Sequence, residues 1–161
     1  MSLRPQEEDD RVFLEELVIA LREDEPGFRH LLPSERNRLL AEQCRLQLAH
    51  YQRHFPQAFF LLIIAEGERI GRIYLDHQPD HMRVVELSLL PAYQGHGIGR
   101  RFMETFQAEA SRCQIPIRLS VAFGNSAFQF YEKLGFRKSG QSELHEHLTW
   151  WPPALPKEER G

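Results

Sequence analysis

The chain has 161 residues, 42% of them hydrophobic and 27% charged, with a formal net charge of −3. That length suits one domain with its own core, and the slightly acidic balance argues against an electrostatic footprint for nucleic acid. No apolar run approaches the roughly 18 residues of a membrane helix, and the polar, acidic start Met1–Asp10 lacks the apolar stretch of a signal peptide, so a cytoplasmic protein with no membrane partner is expected. Cys44 and Cys113 form no C-x-x-C, which points to neither a disulfide framework nor a metal site.

Leu3-Arg4-Pro5 reads as a short first strand, confined to an edge by its proline. Asp10–Arg22 spaces Val12, Phe13, Leu17 and Ile19 as a helix capped by Asp9 or Asp10, and Glu25-Pro26-Gly27 ends it. A longer helix opens at Pro33-Ser34-Glu35-Arg36, with Ser34 as N-cap, and runs through Leu39, Leu40, Cys44, Leu46 and Leu48 to about Tyr51. Ala58–Ala65 is an unbroken apolar run, the pattern of a strand covered on both faces. Its hairpin partner, Arg69–Asp76, sets Ile70, Arg72 and Tyr74 on one face and Ile73 and Leu75 on the other.

Val84–Leu90 is the central strand. A turn led by Pro91 follows, then a helix from Ile98 to Arg112 with Ile98, Phe102, Met103, Phe106 and Ala110 on its apolar side. Ile117–Val121 alternates as a strand, and a right-handed crossover places it parallel to Val84–Leu90. Asn125 caps a helix whose apolar side is Ala127, Phe130, Tyr131 and Leu134, closed by Gly135, and Phe136–Lys138 and Ser142–Trp150 finish as antiparallel strands. Residues 152–161 read as a proline-rich, loosely ordered extended tail behind a domain spanning 1–151.

The run Gln94-Gly95-His96-Gly97-Ile98-Gly99-Arg100 carries the clearest chemistry. A glycine-rich turn from strand to helix leaves several N–H groups unpaired at the positive end of the helix dipole, which makes an anion site. No Gly-Lys-Ser/Thr follows, and the Gly95, Gly97, Gly99 spacing is not G-x-G-x-x-G, so neither a Walker loop nor a dinucleotide fingerprint is present. Gln94-x-x-Gly97-x-Gly99 resembles the acetyl-CoA pyrophosphate loop of the GCN5-related N-acetyltransferases (GNAT), whose pattern is Gln/Arg-x-x-Gly-x-Gly/Ala. Further along, Asn125-Ser126-Ala127 through Tyr131-Glu132-Lys133-Leu134-Gly135-Phe136 is similar to the same family's other hallmark.

This resemblance covers nearly the whole chain. It implies an α/β fold with a mixed, mostly antiparallel sheet of six to seven strands, about four helices, and a parallel strand pair splayed around the cofactor. It also implies transfer of the acetyl group of acetyl-CoA, by direct attack, to a primary amine on a small molecule or peptide. By the same resemblance the main-chain groups of Leu89 and Leu90 meet the pantetheine arm, and the loop after Gln94, from Gly95 through His96, Gly97, Ile98 and Gly99 to Arg100, holds the pyrophosphate. Asn125 lies near the cofactor, and Tyr131 gives a proton to the departing thiolate.

The amine must also lose a proton. Strand alternation sets Glu86 and Ser88 on one face, which makes Glu86 the candidate base, and a bulge would upset that facing. Arg22, His30, Tyr51 and His54 are near-site candidates by resemblance and ordinary surface residues otherwise. His96 is expected to point to solvent, and His145-x-His147 offers two imidazoles on one face, too few for a metal. A rival reading is an acyl-CoA-binding sensor without turnover, and a homodimer stays open.

Overall fold

A computed structural model describes residues 1–155 and 160. Among them, β1 (Ser2–Pro5) leads to α1 (Arg11–Arg22), α2 (Pro33–His54), β2 (Phe59–Ala65), β3 (Glu68–His77) and β4 (Met82–Leu89). Then come α3 (Ile98–Cys113), β5 (Ile117–Ala122), α4 (Ala127–Lys133), β6 (Arg137–Gln141) and β7 (His145–Trp150). The strands form a seven-stranded mixed sheet in the order β1-β2-β3-β4-β5-β7-β6, with β1 at the edge its proline requires. β4 and β5 are the parallel pair, and β1 with β2, β5 with β7, and β6 with β7 are antiparallel. This is the expected mixed, mostly antiparallel α/β fold with four helices. Its contacts gather into two units, and β3 and β4 each contribute residues to both.

The first unit comprises Met1–Tyr74 and Glu86–His96. α1 buries Phe13, Leu14, Leu17 and Val18, which cluster with Phe28, with Leu40 and Cys44 of α2, and with Leu62 of β2. The buried stripe is centred one residue away from the expected one, so Leu14 is inside and Val12 lies exposed. Each such fully buried side chain contributes about 2 kcal/mol. Gly71 of β3 is indispensable for another reason: a Cβ there would stand 2.2 Å from the main-chain oxygen of Ser88 in β4.

Two expected helix caps are replaced. Asp10 makes no side-chain cap on α1. Its buried carboxylate accepts from Arg4 Nη1 and Nη2 at 2.9 and 2.7 Å, from Arg69 Nη1 at 3.2 Å, and from the Glu7 N–H at 2.8 Å, joining β1, the start of α1 and β3. α2 starts at Pro33 with Leu32 in the cap position, because proline fits the first helical position and needs no acceptor. Ser34 is then already inside the helix, and the Glu35 carboxylate takes the Leu32 N–H at 3.1 Å.

The second unit holds Leu75–Val85 and the chain from Gly97 onward. α3 buries Ile98, Met103, Phe106 and Ala110, with Phe102 stacked on Phe106. β5 alternates strictly: Ile117, Leu119 and Val121 are buried, while Arg118 and Ser120 on the other face are half-buried. α4 ends in a Schellman pattern, Phe136 N–H to the Tyr131 carbonyl and Gly135 N–H to that of Glu132, with Gly135 at φ 98°. β6 carries a register shift between Lys138 and Gly140. The start of the expected tail is not extended: Leu155 donates to the Pro152 carbonyl at 3.0 Å, and both residues are buried. Residues 156–159 and 161 lie outside the described residues. Cys44 is buried, Cys113 exposed, and both are free thiols. Among the described residues no helix is long and apolar enough to cross a membrane.

The Arg4 guanidinium, with help from Arg69, holds the Asp10 carboxyl well below the usual carboxylate range. Its stabilising effect is therefore complete above the unfolded-state value near pH 4 and is lost as pH falls below that. Asp10→Asn is expected to cost roughly 2 kcal/mol at pH 7. Urea unfolding of both proteins checks this: the gap should narrow progressively below about pH 4, and a gap independent of pH would contradict it.

Candidate active site

At the head of α3 the sequence dictates an unusual backbone. Gly95 and Gly97 sit at φ 78° and 81°, a region side chains rarely occupy, and a Cβ at either would have nothing within 4 Å. The space over the loop is therefore open to a ligand. Among the described residues, none of the N–H groups from Gly95 to Arg100 donates to a main-chain carbonyl outside α3. Those at the helix start have no partner within it either. Arg101 N–H, donating to the Gly97 carbonyl at 3.0 Å, is the first to be satisfied. His96 is exposed, as expected, and Arg100 is drawn to Glu104 at 2.7 Å along the exposed face of α3.

Upstream, Gln94 is more than a loop residue: its Nε2 donates to the Leu89 carbonyl at 3.0 Å, closing the turn. The Leu90 N–H donates to Ile70 of β3 at 2.8 Å, and the Leu90 carbonyl accepts from Tyr93 at 2.9 Å. Both main-chain groups of Leu90 therefore have a partner within the chain. Successive N–H groups of a strand point to opposite edges, so that of Leu89 points away from β3.

Glu86 stands in a partly buried polar cluster of the first unit. Tyr51 of α2 donates to its Oε2 at 2.9 Å, Ser88 donates to its Oε1 at 2.7 Å, and Arg72 of β3 lies 3.6 Å from Oε2. Glu86 and Ser88 do share a face, as alternation required. Arg72 is 3% exposed and lies over the Tyr74 ring, 5.1 Å from its centroid. Its Nη2 reaches Gln47 at 3.4 Å, while its Nε has no hydrogen-bond partner among the described residues. Tyr74 donates in turn to Gln6 at 2.6 Å. A carboxylate has about four acceptor directions; Tyr51 and Ser88 use two of those of Glu86, and Arg72 adds an ion pair.

Of the near-site candidates, only Tyr51 joins this cluster. Arg22 is tied to Glu25 and Gln43, His54 stacks on His50, and His30 is exposed. Arg72 had not been assigned a role from the sequence. The signal was available: an arginine between Ile70 and Tyr74 on a strand face needs a counter-charge if that face is covered, and Glu86 is an acid on the next strand.

In the second unit Tyr131 is buried and packs edge-on against Phe130 and Phe136, with ring centroids 5.0 and 5.5 Å away. Ser126, not the expected Asn125, holds the N-cap position of α4 and makes no side-chain cap; Asn125 stands one residue earlier, its Oδ1 accepting the Ala127 N–H at 2.8 Å in an Asx turn that leads into the helix. The parallel register joins Met82 to Ile117 and Arg83 to Arg118, the first two residues of β4 and β5.

A family model described as the acetyltransferase (GNAT) domain matches residues 33–155. The chain belongs to the GNAT acetyltransferase family. Solved structures with the same fold include a PaiA N-acetyltransferase from Thermoplasma acidophilum in complex with coenzyme A, at TM-score 0.68 and 20% identity over 93% of this chain and 98% of that one. An acetyltransferase from Thermus thermophilus gives TM-score 0.66 and 17% identity over 92% and 94%. A histone acetyltransferase HPA2-related protein from Corynebacterium glutamicum gives 0.63 and 20% over 97% and 98%. In this GNAT chain both expected hallmarks lie inside the matched region.

Burial first, then the charge of Glu86 and the hydrogen bond to it, push the Tyr51 phenol far above its ordinary value, and burial pushes Tyr74 up as well. Both contribute stability that is present below the unfolded-state tyrosine value near 10 and lost as pH rises beyond it. An ultraviolet alkaline titration should therefore find Tyr51 and Tyr74 silent until the fold opens. Ionisation of these two near pH 10 in folded protein would contradict the cluster.

Proposed function

We propose that this GNAT protein transfers an acetyl group from acetyl-CoA to a primary amine of a small molecule or peptide. The observation that carries the reading is the row of unsatisfied N–H groups at the head of α3, with open space above Gly95 and Gly97. That cradle suits a pyrophosphate, and the residues that would hold it are Gly95 to Arg100. Gln94 positions the turn by fixing it to Leu89.

When bound, acetyl-CoA supplies an acetyl group activated as a thioester. The Leu89 N–H, pointing away from β3, is the single donor for the oxygen that gains charge as the amine attacks. Leu90 packs its side chain against the first unit's core and offers the cofactor its main-chain carbonyl, which has a lone pair beyond the one Tyr93 uses. Tyr131 protonates the leaving thiolate; a thiol with pKa near 8.5 needs only a weak acid for this. Asn125 acts by starting α4 and so fixing where Tyr131 emerges. Glu86 takes the proton from the incoming amine, directly or through water, using an acceptor direction that Tyr51 and Ser88 leave open.

A second reading is a sensor that binds acyl-CoA without turnover, and the engagement of Glu86 by Tyr51, Ser88 and Arg72 is the observation in its favour. One experiment separates the two. Thiol release from acetyl-CoA is followed across a panel of amines for wild type, Tyr131→Phe and Gly97→Trp, with calorimetric affinity for acetyl-CoA measured on each. For the enzyme, Tyr131→Phe should lower turnover about a hundredfold while changing affinity little. Gly97→Trp should remove binding, since it fills the cradle and strains a positive-φ position. Binding without turnover on any amine favours the sensor, and equal turnover in Tyr131→Phe removes that residue from the chemistry.

A further inference from the structure

The second unit contains a cluster that the acyl-transfer reading does not use. On the polar face of β5 and its neighbours, Arg83 and Arg118 are register partners, Arg118 lies opposite Thr149, and Ser120 lies opposite His147. Partners in a ladder project to the same face, so these side chains converge. Arg83, Arg118, His147 and Thr149, with Ser139 and Trp151, line a cavity of about 420 Å³. That volume is within the range of small-ligand sites.

The hydrogen bonds fix what the cavity offers. Arg83 Nη2 donates to Ser120 Oγ at 3.0 Å, and the Ser120 hydroxyl, free to rotate, can give its hydrogen to His147 Nδ1, 2.8 Å away. In that arrangement the His147 N–H is on Nε2. Thr149 donates to Ser139 at 2.8 Å, and Ser139 donates to the His147 carbonyl at 3.4 Å. Arg118 has no hydrogen-bond or ion-pair partner among the described residues. Burial, with the neighbouring Arg118 charge adding to it, holds the Arg83 guanidinium below its ordinary value. Asp76 opposes this effect, but its carboxylate already accepts two hydrogen bonds from Gln78, at 3.0 and 3.1 Å. A chain of net charge −3 thus concentrates two guanidiniums and an imidazole N–H in one concave site.

We propose that this cavity is a binding site for a small oxyanion ligand, a phosphate ester or a polycarboxylate, gripped by Arg118 and Arg83 with His147 as a further donor. Planar guanidiniums match the paired oxygens of either group, and an anion neutralises the repulsion between the two arginines. The site shares no residue with the cradle at α3.

Inorganic phosphate and citrate are titrated separately into the protein by calorimetry at constant ionic strength, with chloride as the balancing anion. At least one should bind saturably, and the better of the two identifies the ligand class. Arg118→Gln should weaken that binding at least tenfold, and His147→Gln severalfold, with the circular dichroism of both variants unchanged; Arg100→Gln should leave it intact. No saturable binding of either anion would overturn the proposal. So would wild-type affinity in both Arg118→Gln and His147→Gln, or loss of binding in Arg100→Gln alone, which would assign the anion to the α3 cradle.

Discussion

The head of α3 is the constraint around which this protein is arranged. A helix cannot satisfy its own first N–H groups, and most helices cover them with a side-chain cap. Here glycine at Gly97 takes the cap position and offers no side chain. The backbone therefore presents several donors together, with no atom that a Cβ at Gly95 or Gly97 would meet. The turn before them is held by Gln94 on the Leu89 carbonyl. A compact, doubly charged group suits such a surface far better than an apolar one.

The first unit solves a different problem, that of a buried arginine. Arg72 sits on a strand whose neighbouring residues are almost all buried, and leaving it unpaired would cost several kcal/mol. Glu86 supplies the counter-charge, Tyr51 and Ser88 supply donors to that carboxylate, and Gln47 and Tyr74 take the guanidinium. The cluster orients Glu86 firmly, and the same engagement limits how it can accept another proton. Asp10 serves a parallel purpose near the chain start, where one carboxylate joins three segments through two arginines.

Element type was readable because periodicity is a local property. The apolar spacing of α3, the alternation of β5 and the unbroken run of β2 each identified their element, and the two hallmark segments identified the family. What stayed hidden depends on partners distant in sequence. Alternation told which face Arg72 occupies but not that Tyr51 of α2 would help to cover it. Ser34 and Asp10 are good capping residues by type, yet Pro33 moved one helix start and Arg4 with Arg69 claimed the other side chain. The main-chain commitments of Leu90 belong to tertiary hydrogen bonding, which no residue identity encodes. The convergence of Arg83, Arg118 and His147 required the registers of two ladders.

The central claim, that the exposed donors at the head of α3 receive a diphosphate, is tested most directly by following amide resonances while coenzyme A is added to isotopically labelled protein. The account predicts that the N–H signals of Gly95 through Arg100 move together and saturate, and that 3′-dephospho-coenzyme A, which keeps the diphosphate, moves them equally. Unmoved loop amides at coenzyme A concentrations that perturb other residues would contradict it.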